Sequence, residues 1–272
     1  MMIKLEMQNI SLGYGHKTVL QDISLGLMSG EMVGLIGPNG SGKSTIIKAL
    51  SRVISPHSGK ILLNGKDIAG ISRKDLACLL GVVPQIPILP GVFTALEIVL
   101  MGRNPHLGLF QYEGPRELAI AWRAMEKTAT HTFAERRISE LSVGEIQCLL
   151  IARVLTQETK TILLDEPTAN LDISRQVEIL NLIKSLCVEN GLAVMAALHD
   201  LNLAAQYCDR LVLINKGRVH AEGTPRQVIT AHNIKEVYGV ENCVYAHPFN
   251  GLPAVLLSAN NGKPDRTGGR VV

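Results

Sequence analysis

Between a short apolar run and a helix-like stretch lies Gly37-Pro38-Asn39-Gly40-Ser41-Gly42-Lys43-Ser44, and no other feature restricts this chain as strongly. A glycine, four residues, then glycine, lysine and a hydroxyl residue is a spacing with a mechanism. Glycines let the backbone wrap a polyphosphate closely with its N–H groups turned inward, and a helix start adds partial positive charge. In such a loop Gly37, Asn39, Gly40, Ser41, Gly42 and Thr45 form the cradle. Lys43 bridges the β- and γ-phosphates and the Ser44 hydroxyl holds Mg²⁺. The context fits: residues 31–36 read as a short buried strand and residues 44–52 as a helix.

The rest of the chain supplies a matching frame. Residues 3–7 alternate like a strand, residues 19–27 do so less regularly, and residues 59–65 read as a strand with a turn. Residues 93–157 are mostly helix-like, with breaks at Asn104-Pro105-His106 and Glu113-Gly114-Pro115. Strands and helices then alternate: strands at 161–165, 192–198 and 211–215, helices at 174–187 and 201–208. Val177, Leu180, Ile183 and Leu186 recur at helical spacing and read as core. Alternation implies right-handed crossovers and a largely parallel sheet, with the helical block as an inserted subdomain. Beyond about residue 230 the character changes. Asn250-Gly251 suggests a hairpin turn within 244–257, and residues 260–272 read as a frayed polar tail.

Composition excludes several classes. Apolar residues at 46% against 19% charged argue for a packed globule, and aromatics at 4% leave its core to Leu, Ile, Val and Ala. A net charge of +3 is too small for a duplex-binding face or a polybasic anchor, so no nucleic-acid partner is expected. The cysteines, Cys78, Cys148, Cys187, Cys208 and Cys243, form no CxxC pair, which disfavours a disulfide framework or a zinc site and fits a reducing compartment. No apolar run approaches the ~18–20 residues of a membrane span, and the first residues lack a signal-peptide core.

Two further segments carry chemistry. Thr161-Ile162-Leu163-Leu164-Asp165-Glu166 is an apolar strand ending in two carboxylates. Asp165 at its carboxyl end is suited to the metal's water shell, and Glu166 to polarising an attacking water. Ser142-Val143-Gly144-Glu145 reads as a capping box before an apolar helix; such a start still offers N–H groups to an anion.

With Leu141-Ser142-Val143-Gly144-Glu145, the phosphate loop, Asp165-Glu166 and His199 in this order, the chain resembles the ABC ATPases, whose signature reads LSGGQ. The resemblance covers residues 3–230. It implies an α/β P-loop NTPase fold with a mainly parallel sheet core, an N-terminal antiparallel β region and an inserted helical subdomain at about 90–157. Residues 1–230 would form the ATPase domain and 231–272 a C-terminal extension. The resemblance further implies that Tyr14 stacks on adenine and that Gln85 is the lid glutamine sensing Mg²⁺ and the transport partner. Asp172, in Asn170-Leu171-Asp172, would belong to the D-loop, and His199 would be the switch histidine at the γ-phosphate. Lys43, Gln85, Glu166 and His199 would form the catalytic set; Ser44, Gln85 and Asp165 would bind Mg²⁺. The signature departs from the pattern at Val143, which replaces a glycine and is expected to loosen the fit to a partner, and at Glu145, which replaces glutamine.

The resemblance implies ATP and Mg²⁺ as cofactors and a head-to-tail homodimer. In it Ser142 and Gly144 of one copy complete the ATP site of the other, because one chain supplies donors on only one side of the γ-phosphate. Leu100-Met101-Gly102-Arg103-Asn104-Pro105-His106-Leu107-Gly108 and Leu198-His199-Asp200-Leu201-Asn202-Leu203-Ala204-Ala205 are similar to stretches of importers for ferric siderophores, haem and cobalamin. That branch implies polytopic permease subunits, indirectly a substrate-binding protein, and a peripheral position on the cytoplasmic face of the membrane. Arg103 and His106 stand open between a permease-facing surface and a solvated loop. Two other readings remain: a soluble ABC ATPase of DNA repair or translation, disfavoured by one phosphate loop and about 95 residues without heptads between Thr45 and Leu141, and a low-turnover nucleotide-binding regulator.

Overall fold

The computed structural model describes residues 4–15, 17–85, 87–108 and 111–257. The chain opens with an antiparallel pair, β1 (Lys4–Tyr14) and β2 (Lys17–Met28), and enters the centre as β3 (Met32–Ile36). Helix α1 (Lys43–Leu50) follows, then β4 (Ser58–Leu63) and the short β5 (Lys66–Asp67). Helix α2 (Arg73–Leu79) runs directly into β6 (Leu80–Val83). Three helices come next: α3 (Ala95–Leu100), α4 (Pro115–Lys127) and α5 (Val143–Thr156). Alternation resumes with β7 (Thr161–Asp165), α6 (Ile173–Asn190), β8 (Ala193–Ala197), α7 (Leu201–Tyr207), β9 (Arg210–Asn215) and β10 (Arg218–Gly223). The last elements are α8 (Pro225–Val228), α9 (Ala231–Tyr238), β11 (Asn242–Ala246) and β12 (Pro253–Leu257).

The central sheet has the order β10-β9-β3-β8-β7-β6, parallel throughout except for β10. Every residue of β3, β7 and β8 is buried, as a strand covered on both faces requires. Side chains alternate between two cores. Ile162, Leu164, Val194 and Ala196 face α5 and α6, whereas Leu163, Ala193, Met195 and Ala197 face α1 and the N-terminal sheet. A third cluster joins α3, α4 and α5 through Ile98, Val99, Ala121, Met125, Leu149 and Ala152. Helix α5 thus serves two cores: Leu150, Ile151 and Val154 contact the sheet while Leu149 and Ala152 hold the other helices.

The N-terminal sheet, order β2-β1-β4-β5, is antiparallel. Strand β1 is longer than its alternation at 3–7 predicts. Its buried residues change parity, from Leu5 and Met7 to Ile10 and Leu12, and the register shifts at that point, with Asn9 at φ 52. A bulge absorbs the extra residue and keeps the apolar side inward. This carries the strand on to Tyr14. Strand β6 and helix α2 also escape the sequence reading, because they abut with no turn between them.

The hairpin expected within 244–257 is present as β11 and β12, joined by a six-residue loop, 247–252, in which Gly251 (φ 69) donates its N–H to the His247 carbonyl at 2.8 Å. Ile234, Val237 and Val255 are buried against the α5–α6 core. Asn202 pairs with the Val255 backbone twice: its Oδ1 accepts the Val255 N–H at 2.7 Å and its Nδ2 donates to the carbonyl at 3.3 Å. The tail expected at 260–272 lies outside the described residues.

Candidate functional site: a phosphate loop facing a carboxylate strand

The loop between β3 and α1 is glycine-dependent for a stated reason. Gly37 has φ 148, and a Cβ there would lie 2.2 Å from the Ile214 carbonyl oxygen. Gly42, at φ 115, caps α1 without any side-chain acceptor, so the N–H groups of the first turn are left for an anion. Lys43 is only 4% exposed, and its Nζ donates to the carbonyls of Gly37 (2.8 Å) and Pro38 (3.1 Å). Burial pulls its pKa below the ordinary lysine value, against the opposing pull of Glu166 and Asp165. From the far end of the chain, Tyr238 on α9 brings its phenol to the Gly37 N–H; burial pushes that phenol up to about 12.

Sheet register assembles the opposite wall. Asp165 pairs with Ala197 across β7 and β8, which sets Glu166 beside His199 just beyond the strand ends. Val83 pairs with Leu164 across β6 and β7, which sets Gln85 on the other side of Glu166. The Ser44 hydroxyl donates to Asp165 Oδ1 at 2.8 Å. Gln85 Nε2 donates to Glu166 Oε2, and His199 Nε2 lies 2.5 Å from Glu166 Oε1. Asp165 is buried, and desolvation raises its pKa, with the Ser44 hydrogen bond acting the other way. Glu166 adopts φ 53, a left-handed conformation uncommon for a residue with a Cβ, held where its carboxylate meets both partners.

Between these walls is a cavity of about 490 Å³, lined by Asn39, Gly40, Gly42, Lys43, Ser44, Thr45 and Glu166. Lys17, Thr18, Val19 and Lys216 also line it, and the sequence reading missed all four. They carry no local motif; only the packing of β2 and of the β9–β10 turn over the loop brings them there. Tyr14 pairs with Lys17 in register and is 49% exposed, next to the cavity rather than in its lining.

Ser142, Gly144 and Asp172 form a separate surface. Ser142 is the N-cap of α5; its Oγ accepts the Glu145 N–H at 3.3 Å, and Glu145 Oε2 accepts the Ser142 N–H at 2.7 Å. That backbone bond, helped by the Ser142 hydroxyl and Arg136, holds the Glu145 carboxyl below the usual range. Asp172 caps α6, accepting the Arg175 N–H at 2.9 Å. A Cβ on Gly144 would touch Arg175 and Leu171 at 3.7 Å, so the two helix starts are neighbours. The Val143 side chain points outward, 59% exposed. None of these residues lines the phosphate cavity.

A family model described as ABC transporter matches residues 20–169. The chain belongs to the ABC transporter family. The ferric enterobactin transport ATP-binding protein FepC of Escherichia coli (strain K12) is 37% identical over 253 residues, covering 93% of each protein. Among solved structures, an inward-facing ABC transporter described as metal-chelate type superposes with a TM-score of 0.82 at 27% identity, covering 94% of this chain and 97% of that one. A bacterial ABC transporter cassette solved as a dimer gives a TM-score of 0.72 at 27% identity, covering 81% of this chain and 98% of that one. ABC transporter ATP-binding subunits hydrolyse ATP to power transport, and this chain is such an ATPase.

In this ABC ATPase Arg103 is neither in a solvated loop nor on an open surface, whereas Asn104, His106 and Gly108 of the same segment are exposed. Arg103 is 2% exposed; its guanidinium donates to the Thr156 carbonyl at 2.7 Å and pairs with Glu158 at 2.8 Å. The cation therefore sits on the carboxyl end of α5, where the helix dipole favours it. His106 Nε2 lies 2.8 Å from the Gln157 carbonyl. A Cβ on Gly102 would lie 2.2 Å from the Arg153 carbonyl oxygen, so the glycine is needed for packing. The exposed apolar residues of this region are instead Ile88 and Val92, at 96% and 74%, just beyond Gln85.

Proposed function

We propose that this chain is the ATP-hydrolysing motor of an importer for a metal chelate, such as a ferric siderophore, haem or cobalamin. The observation that carries the catalytic part is a cavity lined by Lys43, Ser44 and Glu166, with Asp165 hydrogen-bonded to Ser44 and with Gln85 and His199 on the two oxygens of Glu166. In this reading Gly37, Asn39, Gly40, Ser41, Gly42, Ser44 and Thr45 cradle the phosphates, Tyr14 receives the adenine, and Lys43 neutralises the phosphate chain. Glu166 accepts the proton of the attacking water, with Gln85 and His199 orienting its carboxylate. The hydroxyl of Ser44, the carboxylate of Asp165 and the amide oxygen of Gln85 are hard oxygen donors suited to Mg²⁺, which would neutralise charge on the phosphates. The Ser44–Asp165 hydrogen bond supports this, since it brings two of those donors within 2.8 Å of each other.

Two copies close head to tail, so that Ser142, Gly144 and Asp172 of each complete the site of the other. The separation of this capped-helix surface from the phosphate cavity supports that reading, as does the dimer of the related cassette. The cargo class follows the ferric enterobactin relative and the metal-chelate type transporter. Mixing the purified protein with its permease should raise ATP hydrolysis, and deletion should abolish chelate uptake; uptake that persists in the deletion strain counts against the cargo.

No described helix is long and apolar enough to cross a membrane. In the proposed reading the permease subunits make the contact with the bilayer, on its cytoplasmic face. A substrate-binding protein would act through those subunits. For the permease we favour a cleft of about 490 Å³ between α1, α2, β6 and α5, lined by Arg52, Arg73, Arg153, Leu76 and Val82 and by no acidic residue. The guanidinium of Arg153, a half-buried residue, has no hydrogen bond or ion pair among the described residues, and burial lowers its pKa. An uncompensated cation of this kind is stabilised when a partner brings a carboxylate. Reversing charge in Arg73→Glu plus Arg153→Glu should cut permease-stimulated hydrolysis by about tenfold or more while nucleotide binding by the isolated protein is unchanged. Full stimulation in that variant argues against this docking surface.

A further inference from the structure

The turn between β9 and β10 has two residues, Lys216 and Gly217, with Asn215 paired to Arg218 across it. Both have positive φ, 46 and 77. Such turns favour Asn-Gly, Asp-Gly or Gly-Gly, because the first position must enter the left-handed region at little cost. Lysine there is strained, and nothing in the turn itself asks for it.

Gly217 ties this turn to the phosphate loop. Its N–H donates to the Ser41 carbonyl at 3.0 Å, and its carbonyl accepts the Gln21 N–H at 2.8 Å. A Cβ at this glycine would lie 1.9 Å from the Val19 carbonyl oxygen, so the turn is pressed onto β2 as well. Lys216 is therefore carried on a rigid support beside the cradle, and it lines the same cavity as Lys43. Its amine has no hydrogen bond or ion pair among the described residues. The one acidic residue in the cavity lining, Glu166, is already engaged by Gln85 and His199. A polyphosphate entering the cavity would be the first anion within reach of this lysine.

We propose that Lys216 is a further nucleotide-binding residue, a second lysine that contacts the phosphate chain from the turn packed against the phosphate loop. The proposal rests on the reading of the cavity as a nucleotide site. It explains the backbone: the turn holds a strained residue because an amine is needed there, and Asn, which the turn prefers, cannot supply a charge.

The test sets fold stability against affinity. In Lys216→Asn the residue suits the left-handed turn better, so the nucleotide-free protein should melt at the same or a higher temperature. Its Kd for ADP and for ATP, measured by titration in magnesium-free buffer where no turnover occurs, should rise by about three- to tenfold, the scale of one partly exposed charge-assisted contact. Its affinity should also fall less steeply with added salt than that of the wild type. Lys216→Arg should restore most of the affinity. A purely structural lysine would move melting temperature and affinity together. Wild-type Kd values in the Asn variant, or an Arg variant as weak as the Asn one, would overturn the proposal while leaving the nucleotide site intact. Absence of nucleotide binding by the wild type would overturn the site reading itself, and the proposal with it.

Discussion

Glu166→Gln is expected to lower ATP turnover by about 10²–10⁴-fold while leaving ATP binding in place. The side chain keeps its size, and an amide can still meet Gln85 and His199, which touch the two carboxylate oxygens now. What disappears is the group proposed to take a proton from water. Catalysis then stops after assembly, and ATP with Mg²⁺ should hold the two copies together. Size-exclusion chromatography with static light scattering of the variant, with and without ATP, reads this directly: a dimer should accumulate only with ATP. A variant that hydrolyses at the wild-type rate would remove Glu166 from its role, and one that remains a monomer with ATP bound would remove the paired-site reading.

Lys43→Ala carries the largest expected loss of binding. The ammonium is almost fully buried and donates to two loop carbonyls. Losing a charge-assisted phosphate contact costs on the order of 1.5–3 kcal/mol, which is roughly a 10- to 150-fold weaker Kd. Hydrolysis should fall with it. The pKa shift adds a pH dependence of definite sign. Burial lowers the Lys43 pKa, and a bound polyphosphate would raise it again. At a pH near or above the depressed value, binding takes up a proton, so affinity should decline as pH rises through that value, earlier than for an ordinary lysine. Calorimetry in buffers of different ionisation enthalpy measures that uptake. In Lys43→Ala the uptake should vanish; its persistence would assign the proton to another group.

How much of the site is legible in the chain depends on whether its residues are neighbours in sequence. The phosphate loop is one unbroken stretch whose spacing is itself the mechanism, and β7 coincides with the apolar run 161–165 because a doubly covered strand has no polar residue to blur it. The capping box at Ser142 and Glu145 is likewise local, and both of its bonds are present. Arg103 shows the opposite case. A charged residue in a broken helical pattern reads as surface, yet a carbonyl at the end of α5, 53 positions away, buries it. The same holds for Lys17 and Lys216, which have no motif and reach the cavity only through the packing of two turns.

From the sequence alone came the chemistry: a polyphosphate cradle, a carboxylate pair at a strand end, a second helix start able to face an anion, and an alternating pattern that demands a parallel sheet. These follow from residue types and short spacings, which local sterics and hydrogen bonding convert into form without help from the rest of the chain. Only the tertiary structure decided that Gln85 and His199 both meet Glu166, that the signature surface stands apart from the cavity in the same chain, and that a strained lysine lines that cavity. Those relations depend on strand order and register, long-range quantities set by the burial of whole faces.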